Sequence, residues 1–517
     1  MLLLPLLACD LGDPAGDGDD TTAPACETPS FFPDDDGDGF GDELNAACEA
    51  GEGYVSVGGD CDDARADVNP SATDTCGDTV DADCDPAAPA CDGLDYDVVG
   101  DPAWRGSREA GYVGFAVAFV PDADGAGSPA YALGAPEYPS GRDGAGRVYV
   151  ESGVPSETTP LSPSGGLEAG EGRHPGLALA TLDADGGTEL VVGDGAGLVS
   201  VLPAPLSGVD SLDDARLVYE DWAQPPLALA ERVRTLGDLD GDGVVELAIA
   251  DDGFGEFGGV AVLPASWEGT FDESDILSGV VVSEGFGGNA TLLPASAGDT
   301  DGDGLDDLVV GSWNHSTAWL FRGGAAGLQT LDEADVVFAG NTFDDGSIDG
   351  TGAAVGSAGD VDDDGLADVL VSGLDYVDGT LGASVRLYTG AGTGTRLPSQ
   401  AEARLVNHAP LNVIAPARAL DFDGDGEIDV LAGEPSLQEG EERGGVWIAY
   451  GPLDGTVYAG DVADRLSPEG ALEGFGWAFD VGDVDADGRL DVIVGAPLRE
   501  TGVSLGGAAY LFLGGGW

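Results

Sequence analysis

Apolar residues in this chain come in short unbroken blocks, each preceded by a cluster of aspartates. Residues 491–497 read DVIVGAP, 307–312 DLVVGS, 368–373 DVLVSG and 429–434 DVLAGE. Consecutive apolar positions, rich in Val and Ile and bounded by Gly and Asp, predict strands buried on both faces. No apolar spacing of three and four residues marks a helix. Each unit opens with a stretch of small residues, such as GWAFDVG (476–482). An acidic loop and the apolar block follow. After a Gly-rich turn comes a third stretch, such as GAAYLFLG (507–514), and then a fourth, such as ARLVYED (215–221) or ADVVFAG (334–340).

The unit repeats at a nearly constant period. The first positions of the acidic loops are 122, 181, 238, 299, 360, 421 and 483, spaced by 59, 57, 61, 61, 61 and 62 residues. Such a period indicates a solenoid or a propeller. Four short strands repeated seven times describe a seven-bladed β-propeller. The last repeat has no fourth stretch, and DYDVVGD (95–101) stands before the first repeat without a blade. The sequence therefore predicts that 95–101 completes the last blade. The expected fold is all-β, with a seven-bladed propeller over 94–517 preceded by a small disulfide-rich acidic module over 26–93.

The acidic loops carry the chemistry. Numbered from the first Asp, positions 1, 3, 5 and 9 are Asp238, Asp240, Asp242 and Glu246 in the third repeat and Asp299, Asp301, Asp303 and Asp307 in the fourth. They are Asp360, Asp362, Asp364 and Asp368 in the fifth, Asp421, Asp423, Asp425 and Asp429 in the sixth, and Asp483, Asp485, Asp487 and Asp491 in the seventh. Position 6 is Gly in all five. Oxygens at alternate positions converge when the backbone curls, Gly permits the bend, and the position 7 carbonyl adds a ligand. This is a hard-cation donor set, and Ca²⁺ is the expected ion. The EF-hand alternative is weak, because position 12 (Ile249, Val310, Val371, Ala432, Val494) is apolar where an EF-hand needs a bidentate Glu. Repeat one keeps Asp122 and Asp124 but has Ala126 and Ala130. Repeat two has Thr181, Asp183, Asp185 and Glu189.

Charge narrows the partners. The net charge is −79, and all 18 basic residues are Arg. Such a surface repels nucleic acid and anionic headgroups and attracts divalent cations. The three histidines, His174, His315 and His408, sit in unrelated surroundings. GVSLG (502–506) matches GxSxG but falls in a hairpin, and GFGEFG (253–258) matches GxGxxG but precedes a strand. No nucleophile–base pair emerges, so no enzymatic activity is expected.

Six cysteines, Cys26, Cys48, Cys61, Cys76, Cys84 and Cys91, cluster before residue 92 and predict a disulfide framework whose pairing stays open. The apolar start MLLLPLLACD contains Leu6-Leu7-Ala8-Cys9, which resembles a bacterial lipobox. The resemblance implies a signal segment over 1–9, acylation of Cys9, and anchoring at the cell envelope, on the outer membrane or cell surface. Residues 10–25 read as a flexible acidic tether.

GFAVAF (114–119) with LGAP (133–136), and FGWAFD (475–480) with VGAP (494–497), resemble the FG-GAP repeats of integrin-α-type propellers. That resemblance implies Ca²⁺ in the DxDxDGxxD loops and a propeller that binds macromolecules without being an enzyme. FFPDDDGDGFGDELNAACEAGEGYVSVGGDCDDARADVNPSATDTCGDTVDADCD (31–85) resembles the MopE-type metal-binding region of bacterial surface proteins. Copper goes with that name, yet residues 26–100 contain no His, Met or Trp. Asp34, Asp36, Asp38 and Asp42 instead repeat the calcium spacing. Asp60, Asp62, Asp81, Asp83 and Asp85 form a candidate second site.

Three functions compete: a surface-anchored calcium-binding adhesion or binding protein for a protein or glycan, a carbohydrate-active or other secreted enzyme, and a structural surface or matrix component. Antiparallel strands place Tyr138, Arg142, Trp222, Phe254, Trp313, His315, Tyr376, Arg443 and Arg499 on the face opposite the acidic loops. Trp313, Tyr376 and Arg443 are the expected partner contacts.

Overall fold

A computed structural model describes the chain from residue 103 onward except 108–109, 138–145, 156–157, 163–165, 170–172, 184–187, 196–197, 207–208, 210, 216, 221–232, 252–257, 265–268, 272–275, 283–290, 344–345, 378–379, 391, 407–414, 436–443, 460–462, 468–473, 501–502 and 515–517. Ahead of these it describes 31–34, 36–37, 39–41, 51, 53–59, 65–66 and 68–70. The chain divides into two compact units, Met1–Cys91 and Asp92–Trp517.

The larger unit is a seven-bladed β-propeller of antiparallel sheets. Blade four shows the plan. Leu293–Gly298, Asp307–Ser312, Thr317–Phe321 and Val336–Ala339 pair in sequence order, and the acidic loop joins the first two. The second strands are the buried blocks read from the sequence. Every residue of Asp307–Ser312, Asp429–Glu434 and Asp491–Ala496 is buried. Neighbouring blades cover both faces, so alternation is lost.

The motif glycines make the contact between blades. A Cβ on Gly495 of blade seven would meet the Gly114 carbonyl oxygen at 2.0 Å, and one on Gly134 of blade one would meet that of Gly176 at 2.1 Å. Gly114 and Gly176 also lie at φ +83° and +85°. Side chains there would both strain the backbone and push the blades apart.

Blade seven combines the two ends of the propeller. Trp104–Arg105 pairs antiparallel with Ala508–Phe512, with Trp104 opposite Ala509. The completing strand comes from the N-terminal side, as expected, and its described part lies at Trp104–Arg105. Residues 95–101 are outside the described residues.

Four-stranded blades were expected, and five blades carry a fifth strand. Gly269–Phe271, Gly327–Thr330, Gly394–Arg396, Gly455–Tyr458 and Thr159–Pro160 each leave their own blade between its third and fourth strands. Each pairs in parallel with the last strand of the preceding blade. These segments are only two to four residues long, and their partners lie 49 to 58 residues away. Neither the pattern of apolar residues nor the repeat length signals them.

In the N-terminal unit the described residues include one small antiparallel pair, with Phe32 opposite Val55 and Pro33 opposite Tyr54. The six candidate disulfide cysteines and Cys9 lie outside the described residues.

Candidate metal centres

The five complete loops share one hydrogen-bonded curl. In blade three, Asp238 accepts from Gly241 N–H at 2.7 Å and from Gly243 N–H at 2.9 Å. Loops four and six repeat both bonds, to Asp299 and Asp421. In all five loops one oxygen of the position 5 carboxylate accepts the position 7 N–H, at 2.8–2.9 Å. The backbone turns left-handed at position 6, with φ between 86° and 98°. It also does so at position 4, which the sequence reading missed. Position 4 is Gly in three loops but Asp363 (φ 58°) and Ala486 (φ 59°) in the others.

The curl aims carboxylate oxygens at one point. Single oxygens of Asp238, Asp240, Asp242 and Glu246 all lie within 4.8 Å of one another. The same holds for Asp299, Asp301 and Asp303, for Asp360, Asp362 and Asp368, for Asp421, Asp423 and Asp425, and for Asp483, Asp485 and Asp491. Asp364 and Asp487 belong to their curls but not to these closest sets, and neither do Asp307 and Asp429. The donors are all oxygen, at the spacing a hard cation uses, so the residues fit such an ion.

Position 9 has a second role. Its carboxylate is buried and accepts the position 2 N–H: Glu246 from Leu239 at 2.6 Å, Asp429 from Phe422 and Asp491 from Val484 at 2.7 Å. The other oxygen of Asp307, Asp368, Asp429 and Asp491 accepts from Gly323, Gly390, Gly451 and Gly514, just beyond the third strand. The residue thus ties the loop to two strands. Burial is the main cause that raises its pKa, to about 7 for Glu246 and about 6 for Asp368 and Asp429. Backbone N–H groups oppose the shift, and neighbouring aspartates add to it.

Loops also touch around the ring. Asp306 N–H donates to the Asp238 carbonyl at 3.0 Å, and the Asp306 carboxylate accepts from Asp238 N–H at 2.9 Å. Ala367 N–H likewise donates to the Asp299 carbonyl at 2.8 Å. In blade four a cation reaches the loop from the third strand's end, with Arg322 3.1 Å from Asp307 and 3.5 Å from Asp301. Arg322, Asp240 and Glu246 also border a cleft of about 270 Å³ whose apolar wall includes Leu308 and Phe321.

Two incomplete loops adopt the same curl. In repeat one, Asp122 accepts from Gly127 N–H and Asp124 from Ala126 N–H, both at 2.8 Å, while Ala130 is buried at position 9. In the N-terminal unit, Asp34 accepts from Gly37 N–H at 2.7 Å and Gly39 N–H at 3.2 Å, and Asp36 lies between. Asp38, Asp42, Asp60, Asp62, Asp81, Asp83 and Asp85 are outside the described residues. So are the position 3 and position 5 side chains of repeat two, Asp183 and Asp185.

On the opposite face, Trp313 is 51% exposed in a turn directly after its strand, and Ile348 on the connector to blade five is also exposed. His315 in that turn lies 3.0 Å from Ser312 Oγ. Arg499 turns inward, with its guanidinium over the Tyr510 ring and donating to the Tyr510 hydroxyl. Tyr376 lies opposite Leu381 in its strand; its side chain is not described. Arg443, Tyr138, Arg142, Trp222 and Phe254 are outside the described residues.

The sequence reading also missed a buried charge cluster on this side. Fully buried Arg386 bonds Asp375 at 3.1 Å, Asp349 at 3.2 Å and Thr351 at 2.6 Å. Asp349 in turn accepts from Asn341 N–H at 2.7 Å and from Ser316 Oγ, which ties blade four to blade five.

Residues 421–494 match the FG-GAP-like repeat family. This stretch contains the loop of blade six and runs through the loop of blade seven. Over 156 residues the chain is 27% identical to phosphatidylinositol-glycan-specific phospholipase D of Rattus norvegicus, a match covering 28% of this chain and 18% of that protein. The alignment therefore spans under a fifth of the relative's length. A solved structure, the V. cholerae biofilm matrix protein Bap1, overlaps 80% of this chain and 90% of its own at 12% identity and a TM-score of 0.36. The chain is thus a seven-bladed β-propeller with an FG-GAP-like repeat match over 421–494 and acidic loops whose residues could hold a metal ion. Among the described residues no helix is long and apolar enough to cross a membrane.

Proposed function

We propose that this chain is a calcium-loaded binding propeller displayed at a cell envelope, where it attaches to a protein or glycan without catalysing a reaction. The comparison of repeat one with the five complete loops carries the calcium reading. Repeat one forms the same curl with two carboxylates and a buried Ala130. The third and fourth carboxylates of the other loops therefore exceed what the turn needs, and one of them is buried at an electrostatic cost. A bound cation supplies the missing counter-charge. Carboxylates, position 7 carbonyls and irregular surroundings suit Ca²⁺ better than the strict octahedron of Mg²⁺.

Partner binding is assigned to the face opposite the metal. Trp313 is a rigid aromatic with half its surface exposed, held by a turn on a buried strand, which is the character of an interface anchor. Cys9 supplies the anchor in this reading, and Cys9→Ser should release the protein from the membrane fraction. The decisive test screens the full chain on protein and glycan arrays with Ca²⁺ and with EDTA. Binding that needs Ca²⁺ and drops at least tenfold in Trp313→Ala supports the assignment. Binding that Trp313→Ala leaves unchanged moves the site elsewhere.

A further inference from the structure

Position 10 of each acidic loop lies at the start of the second strand and packs against the loop of the preceding blade. Leu308 of blade four shares a cluster with Leu239, position 2 of loop three, and Val430 of blade six shares one with Val361, position 2 of loop five. Leu308 also borders the cleft that reaches Asp240 and Glu246 of loop three. The residue at position 10 therefore looks onto a metal loop that is not its own.

Six blades place an aliphatic residue there: Leu190, Leu247, Leu308, Val369, Val430 and Val492, all buried. Blade one places Tyr131. Tyr131 is 0% exposed, and its buried hydroxyl has no hydrogen-bond partner among the described residues. It packs in one cluster with Val484, position 2 of loop seven. Phe119, opposite Tyr131 in the neighbouring strand, fills the space beside Gly482, where a Cβ would meet its ring at 2.2 Å. Val484 N–H is in turn the group from which Asp491 accepts at 2.7 Å. The hydroxyl thus stands by the blade seven carboxylates. Burial pushes its pKa up first of all, and the charges of Asp491, Asp485, Asp480 and Asp483 push it further, in that order.

A polar group in a seat that otherwise takes aliphatic side chains is costly, and a buried phenol normally finds a partner. The converging set of loop seven is Asp483, Asp485 and Asp491. Three carboxylates and the position 7 carbonyl leave places for water around an ion that takes about six to eight oxygens. We infer that Tyr131 of blade one is part of the blade seven metal site, where its hydroxyl hydrogen-bonds a water ligand of the ion. This rests on the calcium reading above. The site then belongs to two blades, the first and the last, and a bound ion ties them together.

A calcium titration of the full chain, followed by hydrogen–deuterium exchange at 483–494 and at the reference loop 360–371, reads the two sites separately. Tyr131→Phe keeps the ring and removes the hydroxyl. The midpoint at 483–494 should move to at least threefold higher calcium, with that at 360–371 unchanged. In EDTA the variant should unfold at no lower denaturant than the native chain, because without an ion the hydroxyl has no bond to lose. Tyr131→Leu, the residue type other blades use, should give the same loss of affinity, and it decides the matter if Tyr131→Phe does not fold. An unchanged midpoint at 483–494 would overturn the inference. So would an equal shift at both loops, or a Tyr131→Phe chain less stable than the native one in EDTA. Loops that gain no protection from calcium in the native chain would instead refute the calcium reading itself, and the inference with it.

Discussion

Neutralising two ligands of one loop should change stability in opposite directions with and without calcium. Asp423→Asn with Asp425→Asn in blade six is the suitable pair. Each side chain keeps an oxygen for the N–H it already accepts, from Asp425 at 3.1 Å and from Glu427 at 2.8 Å, so the curl survives. What goes is charge. Oxygens of Asp421, Asp423 and Asp425 lie within 4.8 Å of one another. At that separation and a water-like dielectric each pair repels by about 0.9 kcal/mol, so three pairs store at least about 2.6 kcal/mol before screening. Salt reduces this, leaving about 1–2 kcal/mol to be relieved in EDTA. In calcium the balance reverses. A site filled at a hundred times its dissociation constant stabilises the fold by about 2.7 kcal/mol, and most of this vanishes when two of its charged ligands are neutral. Denaturant unfolding of the full chain in EDTA and in 10 mM Ca²⁺ should therefore show a variant more stable than the native protein in the first and less stable in the second. A shift of the same sign in both solutions would refute the claim that these carboxylates are held together for an ion.

The pH dependence should invert in the same way. Glu246, Asp368 and Asp429 have folded-state pKa values raised to about 7, 6 and 6, above their unfolded values, mainly by burial. Their contribution is present below the unfolded pKa and is lost as pH rises through the folded one. In EDTA the melting temperature should fall between about pH 4 and pH 7, whereas in calcium, which favours the ionised carboxylates, it should hold or rise; a fall of equal size in both would count against metal binding. Arg322→Gln should raise the calcium affinity of the blade four loop severalfold, because the guanidinium sits 3.5 Å from Asp301, one of the three converging carboxylates, and competes with the ion. Isothermal titration against the native chain checks this, and an unchanged or weaker affinity would show that Arg322 is not a competitor.

What could be read from the sequence was whatever is local. The acidic residues at positions 1, 3, 5 and 9 lie within nine residues of one another, and the apolar block after them is continuous, so loop, strand and period were all visible. Features that join distant residues were not. The bond from Asp491 to Gly514 spans 23 residues, and the pairing of Trp104 with Ala509 spans the whole propeller. Position 4 escaped notice because Asp363 and Ala486 stand where the other loops carry the Gly that would have marked a left-handed turn. Arg386 drew no notice in the sequence, because Asp349 and Asp375, which meet it in the buried cluster, lie 37 and 11 residues away. Arg499 was read as a surface cation for the same reason, since its partner Tyr510 comes from the next strand.

The central claim is that the acidic loops are calcium sites, and counting ions tests it most directly. Equilibrium dialysis of the metal-free full chain against Ca²⁺, with Mg²⁺ present as competitor, should find five ions held by the propeller in addition to any held by the N-terminal unit. Replacing Asp299, Asp301 and Asp303 by Ala should remove one ion from the total, and replacing Asp483, Asp485 and Asp487 should remove another. A total below five, or a count that neither triple replacement lowers, would contradict the account.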